Sequence, residues 1–233
     1  MLNFLAHRFG DAVTVFREGG VMMVPLVLSS MLALAVGIGL ALTLRRKLIM
    51  PKDLVHAIGE IESPGDVEKA LARCHEAPSP LAKIMMVALM NRNLTRDENQ
   101  ESVLLAGRQE ASTIGRGILI LEIIAATAPL MGLLGTVLGI VNIFDVISRK
   151  GSGQVGFLSG GIKEALYTTV AGLTVAIPSL IAQSYFSKVV DDIILDMERL
   201  SSLLLTKLYS PRMREAAKSA AGHAPCADSP KKD

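Results

Sequence analysis

VMMVPLVLSSMLALAVGIGLALTL, residues 21–44, contains no charged side chain, and its reading decides the fold. A helix that crosses about 30 Å of hydrocarbon needs about 20 apolar residues, and this run exceeds that length. Two more uncharged runs follow, at 123–144 and 165–187. Half of the chain is hydrophobic, which a soluble domain can also show; three concentrated runs of this length are what a bilayer demands. The expected fold is all-α: a membrane protein with three transmembrane helices and long helical cytoplasmic extensions.

The net charge of +2 says little, but the placement of the basic residues says much. Eleven Lys and Arg fall between Arg45 and Arg116, and eight between Lys188 and Lys232. The first 20 residues hold only Arg8 and Arg17, and 148–160 hold only Arg149 and Lys150. Basic residues mark the cytoplasmic side. The expected topology is therefore multi-pass, with the N-terminus outside and the C-terminus cytoplasmic. A cleaved signal peptide is the alternative for the first run, which is longer than the ~7–15 residues of such a segment and is followed by Arg45, Arg46 and Lys47. Cys74 and Cys226 both fall on the reducing side, so no disulfide is expected.

These signals divide the chain. Residues 1–20 read as a periplasmic amphipathic helix, with Leu2, Leu5, Phe9, Val13 and Phe16 at helical spacing. Transmembrane helix 1 is 21–44. A cytoplasmic helical region follows at 45–116, punctuated by Ser63-Pro64 and Ser79-Pro80, each an N-cap followed by proline. Thr95 with Glu98 three residues on fits a capping box, and no breaker follows before Pro129. Transmembrane helix 2 is 117–147, a periplasmic turn is 148–154, and transmembrane helix 3 is 155–186. A cytoplasmic helix at 187–209 and a disordered tail at 210–233 complete the chain.

Two stretches hold the residues that stand out. In GLLGTVLGIV, 132–141, Gly132, Gly135 and Gly139 permit close backbone approach in lipid; Pro129 just before them, and Gly172 and Pro178 on the third span, join them as helix-packing positions. Thr136 either returns its hydroxyl to its own helix or lines a polar path. In GIKEALYTTVAGLTVAIP, 161–178, Glu164 matters most, because an acid inside a membrane helix marks function by default. Hydropathy puts it at the outer interface if the helix begins at Ala165. If the helix begins near Val155, it lies about 14 Å deep. The pattern alone leaves both positions open. Thr168 lies one turn from Glu164 on the same face, Thr169 about 140° away, and Lys163 points elsewhere. Glu122 and Asp145 fall near the ends of span two, where interfacial solvation explains them. No nucleophile elbow, P-loop or metal cluster is present in the sequence, so no enzyme activity and no cofactor is expected.

At this point the chain resembles the MotA/TolQ/ExbB proton-channel family, and ExbB-like members in particular. The resemblance rests on APLMGLLGTVLGIV (128–141) and GIKEALYTTVAGLTVAIP (161–178), with GGVMMVPLVLSSMLALAV (19–36) and ALARCHEAPSPLAKIMMVAL (70–89) in support. It implies a homopentameric ring of three-span subunits around a single-span partner of the ExbD/TolR type. It also implies that proton flow is passed to an envelope protein of the TonB/TolA type; no nucleic acid is among the implied partners. By motif position Glu164 matches the family's span-three glutamate, which favours the deep placement, and Thr136 and Thr169 match its polar threonines. Lys163 departs from the small residue often found there. Three spans argue against a four-span flagellar stator. TolQ-like function in envelope integrity or division, another three-span motor, and a non-conducting scaffold are the alternatives.

Overall fold

Serine and threonine ahead of proline or acid set the helix starts. The computed structural model describes residues 20–150, 155–213 and 215, without the side chains of 150 and 155–158. The expected amphipathic helix at 1–20 (Gly20 excepted), the turn residues 151–154, Cys226 and most of the tail lie outside the described residues. Seven helices are described: α1 Met23–Thr43, α2 Arg46–Ile49, α3 Lys52–Glu60, α4 Pro64–Glu76, α5 Pro80–Met90, α6 Arg96–Lys150 and α7 Val155–Leu208. No strand occurs among the described residues.

The starts have physical causes. The Ser79 hydroxyl accepts from the Ala82 amide at 3.2 Å and opens α5. At α6 the Thr95 amide donates to the Glu98 carboxylate at 2.9 Å and the Glu98 amide to the Thr95 hydroxyl at 3.3 Å, the expected reciprocal box. The Thr95 backbone amide holds the Glu98 carboxyl below its usual range. An unanticipated box opens α4, where Asp66 receives the Ser63 amide at 3.1 Å and the Ser63 hydroxyl at 2.7 Å. These bonds, the hydroxyl first, pull the Asp66 carboxyl down. Helices α6 and α7 run unbroken through Pro129 and Pro178. Each proline lacks an N–H, so the carbonyls of Ala125 and Thr174 lose their helical donors.

The chain packs as two units. One combines 20–42 with Gly115–Lys188; the other combines Thr43–Ile114 with the described residues from Val189 onward. The second unit has an ordinary interior. Leu54 and Ile58 of α3, Val67 and Cys74 of α4, Leu81, Ile84, Met85 and Leu89 of α5, and Leu204 of α7 are buried. Each large side chain so buried contributes about 1.5–3 kcal/mol of transfer free energy. Lys83 meets both Glu110 oxygens, at 2.9 and 3.0 Å, and Arg46 pairs with Asp196. The Asn99 amide, fully buried, donates to the Ala88 carbonyl at 2.9 Å and to the Tyr209 hydroxyl at 3.0 Å. Tyr209 in turn reaches the Leu94 carbonyl at 3.0 Å, pinning the end of α7 to the turn before α6. Pro211–Met213 are helical and Met213 is buried.

The first unit is built the other way round. Small residues pack its α6–α7 seam, a few large ones such as Leu26, Leu121 and Ile124 are buried beside it, and many large apolar side chains face outward: Leu28, Met31, Leu34 and Ile38 of α1, Leu130 and Phe144 of α6, and Ile181 and Tyr185 of α7 are exposed. Water does not tolerate an apolar surface that extensive on a monomer; lipid does. Among the described residues three helices are long and apolar enough to cross a membrane: α1, and the apolar parts of α6 and α7.

Candidate functional site: the seam between spans two and three

Small residues make this site. Along α6, Ala128, Gly132, Gly135 and Gly139 are all buried, and along α7 they face Ala176, Gly172, Thr168 and Ala165. A Cβ placed on Gly132 would lie 2.9 Å from the Thr168 carbonyl oxygen, and one on Gly135 would lie 2.5 Å from the Thr168 hydroxyl. One on Gly139 would lie 2.8 Å from the Ala165 Cβ, and one on Gly172 would lie 2.6 Å from the Ala128 carbonyl oxygen. At Gly132 and Gly172 backbone meets backbone, and at Gly135 and Gly139 the Thr168 and Ala165 side chains take the space a Cβ would need. The glycine face expected to draw helices together therefore packs α6 against α7 of the same chain. Met23 and Leu26 of α1 close the cluster against Ala128 and Ala176, with Met131, Tyr167, Ala171 and Val175 around them.

Hydroxyls line the seam. Thr168, 2% exposed, donates to the Ala165 carbonyl at 2.7 Å and approaches the Gly132 carbonyl at 3.4 Å. Thr169 donates across to the same Gly132 carbonyl at 3.2 Å. Helical spacing had put Thr169 well away from Glu164, and it does use its own direction to reach span two. Thr136 donates to the Leu133 carbonyl at 2.6 Å, within its own helix, the first of the two options open to it. Pro129 is half-buried beside the seam, whereas Pro178 is exposed.

Glu164 precedes Ala165 and is half-buried. Because α7 begins at Val155, the acid lies nine residues into its helix, about 14 Å along the axis. Its carboxylate also lies against Gly20, three residues ahead of the first residue of α1: a Cβ on Gly20 would overlap its oxygen and stand 3.1 Å from Cδ. The acid is thus well inside α7 and at the mouth of α1, because α7 begins further out than α1 does. Among the described residues nothing donates a hydrogen bond to it. Lys163 turns its ammonium over the Tyr167 ring, 5.4 Å from the centroid, a cation–π contact. Glu122 and Asp145 are both exposed; Asp145 pairs with Arg149 one turn on at 3.1 Å. Sequence reasoning missed four small contributors, Gly20, Ala128, Ala165 and Ala176. The alanines fall at helical spacing from the glycines and Thr168, so that signal was present.

The profile of the MotA/TolQ/ExbB proton channel family matches residues 76–199, more than half of the chain. The chain belongs to this family. An ExbB-like protein of Synechocystis is 31% identical over 173 residues, covering 72% of this chain and 81% of its own. The biopolymer transport protein ExbB of Neisseria gonorrhoeae is 30% identical over 157 residues, 61% of this chain and 71% of its own. ExbB of Xanthomonas campestris pv. campestris is 39% identical over 106 residues. The chain spans only 42% of that relative, and 66% of a further ExbB-like protein of Synechocystis. The MotA/TolQ/ExbB match takes in the whole seam and Glu164 but stops short of α1 and Gly20. The family is one of proton channels rather than enzymes, and the apolar exterior of the first unit fits a membrane protein.

Proposed function

We propose that the chain is the ring subunit of an inner-membrane proton-channel motor of the ExbB kind. Five copies surround an ExbD-like single-span partner, and the proton motive force energises an envelope process of the TonB type. The N-terminus is periplasmic and the C-terminus cytoplasmic. Protons are the coupling ion and no other cofactor is needed. Thr136, Thr168 and Thr169 hold or orient water near the path. The observation that carries this reading is Glu164, a half-buried acid on the third apolar span, one residue before a hydroxyl-bearing seam. Membranes penalise such a group unless function retains it. Liposomes holding the chain with and without its single-span partner test the reading: proton flux appears only with both. A ring that carries no flux with any such partner is a scaffold, and the proposal fails.

A further inference from the structure

Among the described residues only Gly20 has left-handed backbone, with φ +64°. Its carbonyl accepts the Met23 amide at 3.1 Å and so starts the first turn of α1. The Glu164 carboxylate occupies the space that a Gly20 side chain would fill. These facts are independent: one concerns backbone conformation, the other a contact between residues of different helices. Both select the residue without a side chain. The contact also places the carboxylate at the N-terminal end of a 21-residue helix, where the helix dipole favours negative charge.

We propose that Gly20 is the positioning residue for Glu164. Its bare, left-handed backbone forms a seat for the carboxylate at the mouth of α1, and departure from that seat is what exposes the acid. The inference rests on reading Glu164 as the functional acid of span three, and it adds a part of the chain outside the family match. The start of α1 thereby becomes a control element: any movement of residues 20–23 is a movement of the wall against which the acid rests.

A side chain at position 20 acts in two separable ways. Alanine brings both a Cβ that overlaps the carboxylate and the strain of left-handed backbone. Asparagine brings the Cβ but tolerates that backbone. The strain alone corresponds to roughly a tenfold change in the seated population. If the seat is steric, both variants unseat the acid.

The test is the rate at which dicyclohexylcarbodiimide modifies Glu164 in native membranes, read by peptide mass spectrometry, with exposed Glu122 as reference. Gly20→Ala is expected to raise the Glu164 rate by about tenfold, Gly20→Asn to raise it through the Cβ overlap alone, and both to leave Glu122 unchanged. Gly20→Asn also covers the case in which alanine disturbs the start of α1. Partner-dependent proton flux is expected to fall in Gly20→Ala and to recover in part when Glu164→Asp is added, since the shorter acid clears the new Cβ. Equal Glu164 rates in wild type and both variants overturn the seat. So does a Gly20→Asn rate equal to wild type, which would leave only backbone strain. If the rates change as expected but the wild-type complex passes no protons, the seat stands and the proton-channel reading falls.

Discussion

The Thr169 hydroxyl donates to the Gly132 carbonyl at 3.2 Å, a side-chain hydrogen bond that crosses from the third apolar span to the second. That carbonyl has an amide partner within its own helix as well, and Thr168 stands 3.4 Å from it. Thr169→Val keeps the shape and removes the donor. Bonds of this kind between membrane helices are worth about 0.6 kcal/mol on average and at most about 1.7. Thr169→Val is therefore expected to lower unfolding stability by about that much and to reduce proton flux without abolishing it. Thr136→Val, whose hydroxyl serves its own helix, is expected to cost less. Detergent unfolding of both variants checks the order.

Gly135→Leu drives a side chain into Thr168, whose hydroxyl would stand 2.5 Å from the new Cβ. Helix backbones must separate, and overpacking of this kind costs about 1–3 kcal/mol or more. The seam lies within one chain, so the expected defect appears first in the folding of the subunit and only then in assembly. Native mass spectrometry of the variant, with protease sensitivity of the monomer, distinguishes the two. A ring as stable as wild type would show that the seam has slack.

Glu164→Gln keeps size and much of the polarity while removing titration. It is expected to leave the ring assembled and to abolish partner-dependent transduction. Full activity in this variant would reduce the acid to a structural group, and the proton-channel reading would lose its central residue.

Cys74 is fully buried, and burial pushes its thiol up from 9.0 to about 11. The native thiol is then expected to resist iodoacetamide at pH 8 and to react on denaturation. Folding favours the neutral form, so the linked stability is complete below about pH 9 and is lost as pH rises toward 11; the effect is at most about 2–3 kcal/mol. Chemical denaturation from pH 8 to 10.5 should show the midpoint falling only above about pH 9.

Burial also disqualifies Cys74 as an inside marker for topology. Exposed Glu68 on α4 serves instead. With an impermeant thiol reagent added from outside, Ser152→Cys is expected to be labelled and Glu68→Cys to remain protected until the membrane is opened. The reverse pattern would invert the proposed orientation and the side from which protons enter.

Much of this architecture could be read from residues in order. Three charge-free runs are a statement about solvent, and serine ahead of proline is a statement about unsatisfied amides; both are local. Thr95 and Glu98 form the box that their spacing implied. What could not be read is long-range. Gly20 and Glu164 are far apart in sequence, and no period links them. The Asn99 contact with Tyr209 joins residues 110 positions apart for the same reason. The glycine motif announced a close approach but could not name the opposing helix, because GxxxG specifies distance and leaves the partner open. Ala128 and Ala165 were visible in the same periodicity but are common enough in membrane helices to pass unnoticed.

The packing of Gly132, Gly135, Gly139 and Gly172 has a genetic consequence. A glycine codon is one base away from codons for alanine, serine, cysteine, valine, arginine, aspartate and glutamate, and every one of those residues has a Cβ. At these four positions the seam has no volume in which to receive it. Such a region offers drift no small steps. In a saturation library the four sites should be nearly empty of survivors, and each tolerated change should arrive together with a second one on the opposite helix.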